Sequence, residues 1–381
     1  MDFSWTEEQL TLKNAAIKFA QRDLNKDLIE RDRKGEFSRE SWQKCAQFGL
    51  QGLPFPEKFG GSDADILTTM LTMEGMGYGC RDNGLIFAIN AQMWSVQHPI
   101  LTFGTESQKE QYLPGLCSGE IIGAHGMTES DSGSDAYALR TRAEKKDGGY
   151  VLNGTKMFVT SAPIADMALV FATTNPDLGQ WGVTAFLVGK GTPGFSVSRD
   201  LDKMGLRTAP MGELILQDCY LPEENRLGPE GAGVSLFSSS MEWERSCILG
   251  SHLGAMERQL EASVQYARER QQFGQAIGKF QSVANRIADM KVRLETARLM
   301  LYKVAWLKSM GKPAVIEAAI AKLYISESFV SSSQEAIRLY GGYGYMTEFE
   351  VERDLRDSIG GILYSGTSDI QRVIIANWLG L

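Results

Sequence analysis

Along the first third of the chain, apolar positions recur at steps of three and four. Leu10, Leu12, Ala15, Ala16, Phe19 and Ala20 do so with charge between them, which predicts an amphipathic helix. The run Leu53-Pro54-Phe55-Pro56 cannot lie inside a helix, and with Phe59-Gly60-Gly61 it marks a loop. The next helix is expected to start near Asp63 or Asp65, either of which can cap it. The period shortens between about Gly123 and Gly233. Ala168–Ala172, Val183–Val188 and Glu213–Leu216 read as strands. Asp147-Gly148-Gly149 and Asn153-Gly154 read as turns, and Pro193-Gly194, Pro210 and Pro222 punctuate the region. From Val234 the helical period returns over 234–268, 279–310 and 313–339, with the charge and apolar interleaving of a bundle in Met290–Tyr302. The expected organisation is three domains: helical 1–122, β 123–233 and helical 234–381.

Two glycine clusters stand out. Gly75-x-Gly77-x-Gly79 lacks the third glycine of a dinucleotide fingerprint and has helical flanks, so it reads as packing or a turn. Gly341-Gly342-Tyr343-Gly344-Tyr345 follows a helical run. It has two readings: a helix C-cap with a tight turn, or close approach of backbone to a ligand.

Composition narrows the function classes. The 381 residues are 43% hydrophobic and 23% charged, the balance of a globular protein of several domains. A net charge of −8 gives no basic footprint for nucleic acid. Met1–Glu8 lacks the basic start and apolar run of a secretory leader. No apolar stretch approaches the ~20 residues of a membrane span, so no membrane partner is expected. Five scattered cysteines favour reduced thiols and a cytoplasmic location. His98, His125 and His252 show no metal-ligand spacing, so no metal is expected. No Gly-x-Ser-x-Gly elbow is present.

Several segments then point one way. They are Met127-Thr128-Glu129-Ser130-Asp131-Ser132-Gly133-Ser134-Asp135, Leu152–Thr160, Arg268–Gly274 with Gln281, Arg338–Tyr345 and Tyr364–Arg372, with Pro56–Gly61 as an N-terminal marker. In order and spacing they resemble the acyl-CoA dehydrogenase flavoprotein family across nearly the whole chain. The resemblance implies an α+β fold: an N-terminal helical domain, a middle β-barrel or sandwich domain and a C-terminal four-helix bundle. It implies FAD as cofactor. Met127 and Thr128 would lie along the pyrimidine and N5 edge, Gly133 and Ser134 at the pyrophosphate, and Phe158 and Thr160 beside the isoalloxazine. Arg270, Gln272, Phe273, Gln281, Arg338, Gly341 and Gly342 match segments that a neighbouring subunit contributes, and Thr367 and Asp369 match an adenosine-proximal pair. Taken singly, each of these residues reads as turn, core or solvated surface; the joint pattern carries the assignment. The family is commonly a homotetramer, a dimer of dimers.

The family reaction needs a carboxylate to take the α-proton of an acyl thioester. Many members carry it just before the Gly-Thr near the C-terminus, where this chain has Ser365. Others, of the isovaleryl-CoA type, carry it on the helix after the β-domain, before an arginine. That motif here is Met241-Glu242-Trp243-Glu244-Arg245, which makes Glu244 the expected base. Glu242 lies two residues away and points elsewhere on a helix. Arg245 is expected to position substrate, a pantetheine or a phosphate.

The runs Ser238–Arg245, Arg356–Gly360, Ser365–Gln371 and Phe171–Val188 resemble the prolyl-carrier-protein dehydrogenase and oxidase branch of the family. That branch oxidises L-proline held as a thioester on a phosphopantetheinyl carrier protein. Trp243 would either shape a small pocket or pack between helices. The alternative is a short- or branched-chain acyl-CoA dehydrogenase that takes a CoA thioester and passes electrons to an electron-transfer flavoprotein.

Overall fold

Thr6 Oγ1 accepts a hydrogen bond from the Gln9 N–H and the Thr6 N–H donates to Gln9 Oε1 in return, a reciprocal cap that starts α1 (Glu7–Asp23). The structure is a computed structural model that describes residues 4–381; Met1, Asp2 and Phe3, part of the segment read above for a leader, lie outside the described residues. Next come α2 (Leu28–Lys34), α3 (Arg39–Gln47) and α4 (Ile66–Gly79). Asp65, not Asp63, caps α4. One nearly continuous rod then contains α5 (Asn83–Gln92), a π-helical turn (Met93–Gln97) and α6 (His98–Phe103), before α7 (Glu106–Cys117). The three glycines at 75, 77 and 79 are packing residues inside α4. A Cβ at Gly77 would sit 1.9 Å from the Ser251 carbonyl oxygen, and one at Gly79 would sit 2.6 Å from that of Ile17.

The middle region forms one eight-stranded sheet. Its strands are β1 (Gly123–Gly126), β2 (Arg142–Lys146), β3 (Gly149–Thr160), β4 (Met167–Thr173), β5 (Val183–Gly189), β6 (Phe195–Val197), β7 (Met211–Pro222) and β8 (Arg226–Leu227). The order is β6-β7-β3-β2-β4-β5-β8, with β1 parallel to β4. Met167, Leu169 and Phe171 on one face of β4 pack with Ile100, Leu113 and Leu116 from the helices. Ala168, Val170 and Ala172 on the other face pack with Tyr150, Leu152, Leu214 and Leu216 of β3 and β7. Both faces of β4 are covered, which is why its sequence is apolar without alternation.

Asp147 and Gly148 form the expected turn between β2 and β3, both at positive φ. Asn153-Gly154 does not. It lies inside β3, where the ladder to β7 shifts register between Leu152 and Gly154. Thr141 passes so close that a Cβ at 154 would sit 2.4 Å from its Oγ1. The glycine serves a bulge and a close approach rather than a hairpin turn.

The C-terminal part contains four long helices: α8 (Gly233–Cys247), α9 (Gly250–Glu269), α10 (Gln281–Ser309) and α11 (Val315–Tyr340). The expected unbroken stretch 234–268 is interrupted at Ile248 and Leu249. A ribbon of β9 (Gln271–Gln272) and β10 (Gln275–Ala276) follows α9, and α12 (Val351–Gly361) and α13 (Ser368–Trp378) complete the chain. The two helical parts share one core, in which Met70, Met73 and Met76 of α4 meet Leu253 and Met256 of α9 and Leu294, Ile325 and Phe329 of α10 and α11. All five cysteines are buried and unpaired. Among the described residues, no helix is long and apolar enough to cross a membrane.

Candidate active site

Glu244 projects from α8 into the interior, and both of its oxygens are held by hydroxyls. Ser365 Oγ donates to Oε1 at 2.6 Å and Ser95 Oγ donates to Oε2 at 2.6 Å. Ser365 lies in the turn after α12 with φ of 53°, followed by Gly366 at 84°. Gln371 Nε2 donates to the carbonyls of Ser365 (3.3 Å) and Gly366 (2.8 Å), and Arg245 Nε donates to the Ser365 carbonyl (3.4 Å). The strained turn is thus fixed from two sides. Burial pushes the Glu244 carboxyl above its usual range; the hydroxyls, Arg245 and Lys322 pull it part of the way back. A buried carboxylate of raised pKa suits a general base. Glu242 faces away, bonded to Lys308 Nζ (3.0 Å) and the Ala314 N–H (3.1 Å).

Ser95 owes its place to the π-helical turn. Pro99 has no N–H to offer the Ser95 carbonyl, and the His98 N–H reaches back to the Met93 carbonyl. Beside it, the Trp243 ring stacks on Trp94 (5.8 Å), tilts against His98 (4.8 Å) and carries Lys308 Nζ 4.0 Å over its face. Of the two roles expected of Trp243, packing between helices is the one these contacts describe. Burial, with Lys308 nearby, pushes His98 down to about 4, so its ring is neutral.

A second cluster forms at the end of β1. Met157 N–H donates to the Thr128 carbonyl (2.8 Å), and Lys156 Nζ donates to the Met127 carbonyl (3.2 Å) and to Glu129 Oε1 (2.6 Å). The loop carrying Met127 and Thr128 is thereby fastened to the strand carrying Phe158 and Thr160. Ser132 Oγ closes the following turn on the Asp135 carbonyl (2.6 Å), leaving Gly133 and Ser134 exposed. Phe158 is 59% exposed at φ 56°, where the β3–β7 ladder shifts register. A strained backbone that displays an aromatic ring beside hydroxyls fits a flat, polar-edged heterocycle such as a flavin.

The remaining expected residues lie apart. Phe273, at the tip of the β9–β10 ribbon, is 93% exposed. The Arg270 guanidinium lies 5.6 Å from the Tyr343 ring centre, which joins the ribbon to the Gly341–Tyr345 turn. Gln272 bonds the Gln271 carbonyl, Gln281 begins α10 and Arg338 pairs with Glu335. Gly341 ends α11 at φ 60°, and a Cβ at Gly341 or Gly342 would meet nothing within 4 Å. Thr367 caps α13, and exposed Asp369 pairs with Arg372 (3.0 Å). Among the described residues, no hydrogen bond or ion pair links this set to the Met127–Thr160 cluster.

Comparison with known proteins agrees with this layout. The chain matches the acyl-CoA dehydrogenase N-terminal domain over residues 6–120, the middle domain over 124–219 and the C-terminal domain over 231–380. The chain belongs to the acyl-CoA dehydrogenase family. It is 46% identical over 346 residues to an L-prolyl-[peptidyl-carrier protein] dehydrogenase of Pseudomonas fluorescens, covering 91% of each. The prolyl acyl carrier protein oxidase AnaB superposes with a TM-score of 0.98 at 52% identity, over 99% of this chain and 100% of that one. PigA with FAD and proline gives a TM-score of 0.98 at 42% identity, over all of both chains.

In this member of the family, sequence reasoning missed Ser95. The available signal was Pro99 inside a helical run, which marks a local departure from α-geometry.

Proposed function

We propose that this chain is an FAD-dependent oxidoreductase that dehydrogenates an L-prolyl group held as a thioester on a phosphopantetheinyl carrier protein. The buried Glu244 carboxylate, clasped by Ser95 and Ser365, is the observation that carries the reading. It supplies a base on α8 in a chain with serine at the alternative position. The likeness to relatives named for prolyl carrier protein supports the substrate class.

Bound FAD supplies an acceptor for the hydride that leaves when the α-proton is removed. Glu244 takes that α-proton, and its closed surroundings keep water from competing for it. Met127, Thr128, Phe158 and Thr160 hold the flavin ring, and Gly133 and Ser134 hold its phosphates. Arg245 and Ser365 line the thioester side, and Trp243 fixes the wall behind the base. Arg270, Gln272, Phe273, Gln281, Arg338, Gly341, Gly342, Thr367 and Asp369 meet the cofactor of a second copy. Exposed Val292 and Leu299 on α10 and Val373 and Trp378 on α13 support that assembly, a homotetramer built as a dimer of dimers. The five unpaired thiols support a cytoplasmic location.

The test is an anaerobic spectrum of the flavin-loaded protein with prolyl-loaded carrier protein, beside one with isovaleryl-CoA. Bleaching and a loss of hydrogens from the prolyl thioester, seen by mass, is the expected result. Bleaching with the CoA ester alone would overturn the substrate and leave a catabolic acyl-CoA dehydrogenase.

A further inference from the structure

Three consecutive residues near the end of α8 each reach across to another element. Glu242 accepts hydrogen bonds from Lys308 Nζ at the end of α10 and from the Ala314 N–H. The Trp243 ring lies nearly parallel to that of Trp94 in the π-helical turn, with planes 6° apart and centres 5.8 Å apart. It also meets the His98 ring, just past that turn, at 4.8 Å. Glu244 accepts from Ser95, in the same turn, at 2.6 Å. Two adjacent rungs thus join the same two segments, one a ring stack and the other a hydrogen bond to the carboxylate. Trp94 precedes Ser95 and His98 follows the turn, so the indole touches residues on both sides of the serine.

Both rings of the stack are pinned. Trp94 is buried and its Nε1 donates to Asn90 Oδ1 at 3.2 Å; Asn90, itself buried, donates to the Ile86 carbonyl at 3.0 Å. Lys308 has a 2% exposed side chain and holds its Nζ 4.0 Å over the Trp243 ring, inside the ~6 Å reach of a cation–π contact. Flat rings in contact set a closest approach that flexible side chains do not. We infer that Trp243 is a positioning residue for the base: its ring, seated on Trp94 and held by Lys308, sets the separation of α8 from the π-helical turn and with it the bond from Ser95 to Glu244. That Glu244 is the base rests on the proposed function; the coupling of Trp243 to the Ser95–Glu244 bond does not.

Infrared titration of the flavin-loaded enzyme without substrate tests this. The carboxylic-acid band that is lost in Glu244→Gln reports Glu244 alone. Trp243 carries no charge, so replacing it leaves Arg245 on α8, Lys322 on α11, the Tyr364 phenol and the Lys308–Glu242 pair in the chain. Ser95→Ala is expected to raise the midpoint by about one pH unit, a tenfold loss of carboxylate on the acid side. Trp243→Leu is expected to raise it by about half a unit, or threefold. Trp243→Phe keeps a flat ring and is expected to keep the wild-type midpoint. The deciding measurement is the double variant: Trp243→Leu in the Ser95→Ala background is expected to add no further shift. Trp243→Met fills the space without a plane and replaces the leucine variant if that fails to fold. An unmoved midpoint in the folded single variant, or an equal shift with and without the Ser95 hydroxyl, would overturn the inference and leave Trp243 a packing residue. If no prolyl thioester is turned over, the function proposed above fails while the titration still reads Trp243.

Discussion

The Ser365 hydroxyl donates to Glu244 Oε1 across 2.6 Å, from the sequence position where many family members carry the base itself. The carboxylate stands on α8 and a small hydroxyl donor stands at position 365. A hydroxyl donor favours the ionised carboxyl, so its loss raises the pKa of Glu244. Ser365→Ala removes a hydrogen bond to a charged group, worth about 1.5–3 kcal/mol. The acid limb of kcat/KM should rise by one pH unit or more in steady-state profiles. An unmoved limb would mean that the bond does not govern the base.

Glu244→Gln should retain flavin, seen in the visible spectrum, and lose about 10²–10⁴-fold in flavin reduction. It also makes a stability prediction. The carboxyl is raised in the folded state, so the native protein holds its proton more tightly than the unfolded chain. That contribution is full below the unfolded pKa and is lost as pH rises through the folded one. Glutamine mimics the protonated form. The melting temperature of Glu244→Gln should therefore exceed wild type at pH 8, with the gap closing toward pH 4. A constant gap would contradict the raised pKa.

Lys156 and Glu129 fasten the Met127–Asp135 loop to β3. Burial pushes the Glu129 carboxyl up, but the charge of Lys156 and the hydrogen bonds from Lys156, Thr141 and Arg140 outweigh it, and the net shift is downward. Lys156→Met strands that buried carboxylate, at a cost of about 3–5 kcal/mol. Denaturant unfolding should show the loss, and the flavin-to-protein ratio after gel filtration should fall. Full retention of flavin would show that the pair does not hold the loop.

Gly77→Ala forces a Cβ against the Ser251 carbonyl, so α4 and α9 must part; overpacking of this kind costs about 1–3 kcal/mol or more. Gly342→Ala meets open space and should change unfolding by under about 0.5 kcal/mol. Flavin affinity of the assembled enzyme decides between the two readings of Gly341-Gly342. Weaker binding in Gly342→Ala supports close approach to the cofactor, and wild-type binding leaves only a helix cap.

The order of helical, β and helical regions follows from local periodicity alone, because each face must be buried at its own repeat. A cap at Asp63 or Asp65 and the strands β4 and β5 were readable for the same reason, the signal lying within a few residues; the structure chose Asp65. Asn153-Gly154 misleads because a bulge and a hairpin ask for the same glycine, and only the approach of Thr141 distinguishes them. The glutamate before Arg245 could be picked out by motif, since that motif is contiguous.

What surrounds Glu244 could not be read that way. Ser95 lies 149 positions from its partner and Ser365 lies 121. A serine in a helical run looks alike whether it faces solvent or a carboxylate. The sequence by itself determined which side chains can carry the chemistry, because residue type and local period are written in the chain. The tertiary structure alone decided which of them are sealed from water together, because desolvation and charge coupling depend on distance in space rather than along the chain.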